Sequence, residues 1–173
     1  MILPRIAITT GDPAGIGPEI AAKTAGDPRV RAACVPLVYG SARTFAPGEL
    51  SAAAGQAAYD TIVRAVRDAK AGGVQAIATA PINKKALALA GLPWRGHTDM
   101  LAALTNTPDV AMMLHSNKLR VVLATIHIPL SDVPSAITVQ SLRTVISLTA
   151  REMPRFKLPN ARIALAGLNP HAG

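Results

Sequence analysis

A-T-A-P-I-N-K-K-A-L-A-L-A-G-L-P-W-R-G-H-T-D, residues 78–99, decides how this chain is read. The residues leading into it, Val74 to Thr79, read as a buried strand that ends in a proline turn. Asn83, Lys84 and Lys85 follow at once. A short apolar helix then closes at Gly91, and the only Trp introduces Gly96-His97-Thr98-Asp99. Hydrogen-bonding and ionisable groups thus flank one small helix. Loops loaded in this way and held by rigid elements are where binding sites sit.

Working outward, strands alternate with helices. Arg5–Thr10 is a continuous apolar run, as expected of a strand buried on both faces. Gly11-Asp12-Pro13-Ala14-Gly15-Ile16-Gly17 follows, and a helix opens at Pro18-Glu19, where proline fits the first turn. That loop has neither the dinucleotide fingerprint nor the Lys-Ser/Thr of a P-loop, and a tight strand-to-helix turn explains its glycines equally well. A second strand is expected at Cys34–Tyr39. A long amphipathic helix is expected from about Ala52 to Ala71, with Tyr59, Ile62, Val63 and Val66 as its stripe and Gly72-Gly73 as its stop. Asn83 is expected to cap the helix that ends near Ala90, and Thr98 the helix Asp99–Leu104. A fourth strand is expected at Arg120–Ile126, a helix at about Val139–Glu152 and a fifth strand at Ala161–Ala166. His115, in L-H-S-N-K, reads as part of a turn.

This alternation predicts an α/β fold: a mostly parallel sheet with helices on both faces. Ligands of such sheets bind beyond the carboxyl ends of the strands. Four strand ends here carry Gly11-Asp12, Asn83-Lys84, His127 and Asn169-Pro170-His171, so the unusual polar residues fall at one edge.

Composition narrows the classes. The 173 residues are half apolar, enough for a packed core. Aromatics are only 3%, which favours closely packed helices over an aromatic-lined groove. The single Cys34 excludes a disulfide framework and makes a reduced, cytoplasmic setting the expectation. No apolar run is long enough to span a bilayer, and M-I-L-P-R does not begin a secretory signal. The net charge of +8 is compatible with an anionic small substrate. Its basic residues (Arg29, Arg31, Arg64, Arg67, Lys118, Arg120, Arg151, Arg155) are scattered and not interleaved with aromatics, which argues against a nucleic-acid partner.

Among candidates for chemistry, His127 and His171 each follow an apolar run. Together they are either two ligands of a divalent metal, needing a third donor, or ordinary loop histidines. Lys84 is a phosphate donor, a general base or a solvated helix-start lysine, and Asp12 is a second catalytic candidate. No nucleophile elbow appears.

The segments G-D-P-A-G-I-G-P-E (11–19), A-P-I-N-K (80–84), A-G (90–91), G-H-T-D (96–99), T-I-H-I-P-L (125–130) and G-L-N-P-H-A-G (167–173) together resemble the 4-hydroxythreonine-4-phosphate dehydrogenases of vitamin B6 (pyridoxal phosphate) biosynthesis. The resemblance spans the chain in the family's order. The first segment is also similar to the G-D-G-I-G-P-E turn of isopropylmalate and isocitrate dehydrogenases, whose fold the family shares. It implies NAD-dependent oxidation of a phosphorylated substrate's C3 hydroxyl followed by loss of CO2, assisted by a divalent metal (Zn, Mg or Co). It implies substrate binding by His97 and Thr98 and metal ligation by His127 and His171. It further implies a homodimer with each metal site shared across the subunit interface. A sister enzyme acting on 4-phospho-D-threonate, or a non-catalytic remnant, fits the same segments.

Three features depart from the family. Asp99 stands where a glutamate is usual. The segment Gly40–Ser51 is far shorter than in the family. The chain runs to Gly173, about half the family's length, without the third metal histidine in its H-D-Q-G context or most of the cofactor contacts. The expectation is therefore an incomplete catalytic region, residues 1–173, inactive alone and exposing apolar surface.

Overall fold

The computed structural model describes residues 2–171, in two compact units that divide between Asn106 and Thr107. In the first unit, β1 (Arg5–Thr9) lies between β2 (Val35–Tyr39) and β3 (Ala76–Thr79), and both pairings are parallel. Ala7 and Ile8 point to opposite faces of β1, and both are buried, so the central strand is covered on each side. Ala7 packs with Ala65 of α3 (Ala52–Lys70), and α1 (Gly17–Gly26) also touches β1. A short α2 (Pro28–Ala33) leads into β2. Cys34 is the C-cap of α2 and not a mid-strand residue; its N–H donates to the Val30 carbonyl at 2.9 Å.

Helix α3 begins where Ser51 Oγ accepts the Ala54 N–H at 3.2 Å. Its buried face is narrower in side-chain size than the expected stripe: Ala54, Gly55, Ala58, Thr61 and Ala65 join Ile62 and Val66. Small residues let α4 (Lys84–Leu89) approach closely, and a Cβ at Gly55 would overlap the Ala86 carbonyl. The larger core lies here: Ile62, Val66, Leu87 and Met100, with Tyr59 and Trp94 packed against them. Complete burial of Leu87 alone contributes about 2 kcal/mol.

Helix α5 (His97–Thr105) starts two residues earlier than the sequence suggests. Thr98 is not its cap. Asp99 supplies that function, because its carboxylate reaches back to the N–H groups of Arg95 and Gly96.

The second unit holds an antiparallel pair, β4 (Met113–His115) and β5 (Arg120–Val122). The expected fourth strand is thus three residues long and antiparallel to its partner. A connection of four residues cannot make the crossover that parallel strands need. Ser116 closes the turn by accepting the Leu119 N–H at 3.0 Å. His115 is therefore a strand residue beside the turn, not part of it. A 3-10 turn (Leu130–Asp132), the short α6 (Val133–Ala136), α7 (Val139–Glu152) and a second 3-10 turn (Met153–Phe156) follow.

Ala161–Ala166 is not a strand. It faces β5 residues across a cleft of about 570 Å³, lined by Arg120, Val122, Ile146, Ile163 and Leu165, and has no ladder partner among the described residues. Among the described residues, Met153 is the one buried apolar residue beyond Asn106, whereas Leu119, Val139 and Leu165 are more than half exposed. Among the described residues, no helix is long and apolar enough to cross a membrane.

Candidate functional site

The order β2-β1-β3 sends successive connections to opposite sides of β1, which opens a crevice between the loops after β1 and β3. Asp12, Gly15, Ile16, Pro81, Asn83 and Lys84 line a cavity of about 420 Å³ there. The two loops are fastened together. Asp12 N–H donates to the Pro81 carbonyl at 2.9 Å, and Ala80 N–H to Thr9 at 2.9 Å. Gly11 sits at φ +62°, and a Cβ there would lie 2.6 Å from the Ala80 carbonyl oxygen and overlap that of Pro81. Only glycine tolerates both conditions. The sequence-derived candidates Asp12 and Lys84 are therefore brought together on one crevice.

Asp12 Oδ1 accepts the Ala14 N–H at 3.0 Å, which shapes the loop and leaves the other carboxylate oxygen for a ligand. Asn83 Oδ1 caps α4 by accepting the Lys85 and Ala86 N–H groups at 3.1 and 3.2 Å. Lys84, first residue of α4, is exposed. An exposed ammonium suits contact with an anion.

His97 and Thr98 occupy the first turn of α5, both half-buried. The His97 Nε2 atom is buried without a hydrogen-bond partner, as is Trp94 Nε1. Burial holds the His97 imidazole below its usual pKa, so it is neutral near pH 7. An unpaired buried imidazole nitrogen costs about 1–3 kcal/mol, and a ligand oxygen would remove that cost. Trp94 is fixed by stacking on Tyr59, with ring centroids 6.4 Å apart and planes 20° from parallel.

His127 and His171 are both exposed and lie in the second unit. Neither directly follows a strand: β5 ends at Val122, and 161–166 is not paired. His127 has φ +57°. Among the described residues the other non-glycine residues with positive φ, Asn106 and Lys157, are helix C-caps, a common place for that conformation, whereas His127 ends no helix. His171 N–H donates to Asn169 Oδ1 at 2.8 Å. Among the described residues no group of three or more His, Cys, Asp or Glu side chains forms a metal site. The imidazoles are donors of a suitable kind, but this chain's described residues do not complete a ligand set.

Sequence reasoning missed Trp94 Nε1 and the capping role of Asp99. A carboxylate three residues after Gly96, at the start of an apolar run, was the available signal.

The chain is similar to known proteins along nearly its whole length. The pyridoxal phosphate biosynthetic protein PdxA family matches residues 14–173. The 4-hydroxythreonine-4-phosphate dehydrogenase of Desulforapulum autotrophicum is 38% identical over 213 aligned positions, covering 98% of this chain and 63% of that protein. The D-threonate 4-phosphate dehydrogenase of Cupriavidus necator is 38% identical, covering 99% of this chain and 64% of that protein. The crystal structure of the 4-hydroxythreonine-4-phosphate dehydrogenase from Klebsiella pneumoniae superposes with a TM-score of 0.90 at 37% identity, over 98% of this chain and 65% of that one. The chain thus spans less than two thirds of the length of these relatives. The first alignment is longer than the 173-residue chain itself, so that relative carries internal segments with no counterpart here. With a family match over nearly its whole length and an α/β fold shared with the solved dehydrogenases, the chain belongs to the PdxA family.

Proposed function

We propose that this chain is the N-terminal portion of an NAD-dependent dehydrogenase that oxidises and decarboxylates 4-phosphooxy-L-threonine in pyridoxal phosphate biosynthesis. The observation that carries the reading is the 38% identity to a 4-hydroxythreonine-4-phosphate dehydrogenase across 98% of this chain. NAD would accept the hydride, and a divalent metal (Zn, Mg or Co) would hold the charge developing on the substrate oxygen. His127 and His171 are the two ligands this chain would contribute. The third donor, the cofactor contacts and most phosphate contacts are assigned to sequence beyond this chain, in a cytoplasmic homodimer whose metal sites lie between subunits.

The chain's own residues then have defined tasks. Neutral His97 offers Nε2 to a substrate oxygen, and Thr98 offers its hydroxyl from the same turn. Lys84 supplies positive charge at the β1/β3 crevice. Asp12, with one carboxylate oxygen committed to Ala14, accepts a ligand hydroxyl or takes a proton there.

The exposed apolar side chains of the second unit support the view that more protein covers them. NAD reduction with the phosphorylated substrate and Mg2+, Zn2+ or Co2+ tests the reading, using the chain alone and the chain continued through the coding sequence after Gly173. A continuation containing H-D-Q-G and restoring turnover supports it; a stop codon after Gly173 favours a non-catalytic remnant. A second reading, oxidation of 4-phospho-D-threonate, is favoured by the equal identity to the Cupriavidus necator enzyme. Rates on the two substrates separate them.

A further inference from the structure

Helix α5 begins with a half-buried histidine whose Nε2 is shielded from water and unpaired. Left to itself, such an imidazole gains by turning out to solvent. Something must hold the turn that carries it. Gly96 has no side chain and caps nothing, so the helix end depends on Asp99. Both oxygens of that carboxylate are engaged: Oδ2 accepts the Arg95 N–H at 2.6 Å and Oδ1 the Gly96 N–H at 2.9 Å. These are the two peptide groups immediately before His97. On the other side of Asp99, Met100 is fully buried in the core with Leu87 and Ile62. The carboxylate therefore ties the segment entering the helix to a residue anchored in the core.

We infer that Asp99 is a positioning residue for His97: its bidentate grip on the Arg95 and Gly96 amides fixes the first turn of α5 and keeps the imidazole in its sheltered place. Burial pulls the Asp99 carboxyl up, but hydrogen bonds from the backbone N–H groups of Arg95, Asp99, Gly96 and Met100 outweigh this and hold it below the usual carboxylate range. The carboxylate is thus charged, and its hydrogen bonds are of the stronger, charge-assisted kind. The inference gives a reason for an acid after His-Thr that substrate contact does not require. It rests on the proposed role of His97 only for its functional meaning, since the geometry stands without any catalytic assay.

The test is NMR on the 173-residue chain, following amide exchange at Arg95 and Gly96 and the titration of each imidazole. Asp99→Ala should speed exchange at both amides about fivefold to tenfold, as expected for loss of a cap. It should also raise the His97 midpoint toward that of an ordinary histidine, leaving His115, His127 and His171 unmoved. The sign is diagnostic. Loss of a nearby negative charge alone would lower the midpoint, whereas exposure of the imidazole raises it. Asp99→Glu, which keeps the acceptor, should restore both readouts. If Asp99→Ala fails to fold, Asp99→Asn, with one acceptor oxygen left, should give a smaller change in the same directions. A folded Asp99→Ala or Asp99→Asn chain with the His97 midpoint unchanged or lowered overturns the inference. Failure of NAD reduction would remove the functional reading while leaving this result intact.

Discussion

Replacing Gly11 by alanine should damage the crevice more than its small size suggests. Gly11 has φ +62°, where an L side chain costs about 1–2 kcal/mol. The added Cβ would also sit 2.6 Å from the Ala80 carbonyl oxygen, 2.8 Å from the Pro81 carbonyl carbon, and inside contact distance of its oxygen. Those atoms are backbone, so relief requires the two loops to part. Parting them strains the Asp12–Pro81 hydrogen bond, whose loss adds about 0.5–1.5 kcal/mol. The total is about 1.5–3.5 kcal/mol. Gly48→Ala is the internal control: its φ is +79°, but nothing lies within 4 Å of a Cβ there. It should cost only the conformational part, about 1–2 kcal/mol. At roughly 4 °C per kcal/mol for a unit of this size, thermal unfolding followed by circular dichroism should show a fall of about 6–14 °C for Gly11→Ala and about 4–8 °C for Gly48→Ala. Equal shifts for the two variants would refute the close approach of the β1 and β3 loops on which the crevice depends.

Other consequences are more local. Asn83→Ala removes the only side-chain cap of α4 and should destabilise by about 1 kcal/mol in urea unfolding, whereas Asn83→Asp should be nearly neutral. Acid should weaken the first unit. His97 is depressed from 6.5 in the fold, so its contribution is complete above that value and is lost as pH falls through the lower folded pKa. Asp99, depressed from 3.8, contributes above that value and loses its contribution in stronger acid. Urea midpoints that stay level or rise from pH 7 to pH 4 would contradict the His97 assignment, and midpoints that stay level as the pH falls further would contradict that of Asp99. For the metal reading, His127→Ala in the continued chain should weaken Zn2+ binding about tenfold or more, since even supporting groups cost that much. Unchanged metal content would remove His127 from the ligand set.

Elements whose signals are local were legible in the sequence. The apolar run into Thr9, the Asn83 cap and the Gly72 stop each act within a few residues, and each is where the pattern put it. The convergence of Asp12 and Lys84 was legible too, because strand alternation alone places both at carboxyl ends. What failed depended on partners distant in sequence or on competition at close range. Thr98 is a good cap by type, but Asp99 sits where one carboxylate reaches two amides and so wins the helix end. Ala161–Ala166 has strand composition, yet a strand exists only by pairing, and no neighbour pairs with it among the described residues. The left-handed backbone at His127 could not be read from the residue type, because histidine, although enriched there, adopts that conformation in only a small minority of cases.

If, as proposed, these residues form one part of a phosphohydroxythreonine-oxidising site, they need further sequence to complete it. The most direct measurement is NAD reduction with 4-phosphooxy-L-threonine and a divalent metal, comparing the 173-residue chain with the same chain continued past Gly173. The first should give a rate at the blank and the second clear turnover, abolished by His97→Ala. Robust turnover by the 173-residue chain alone, or none by a folded, metal-loaded continued chain, would contradict the proposal.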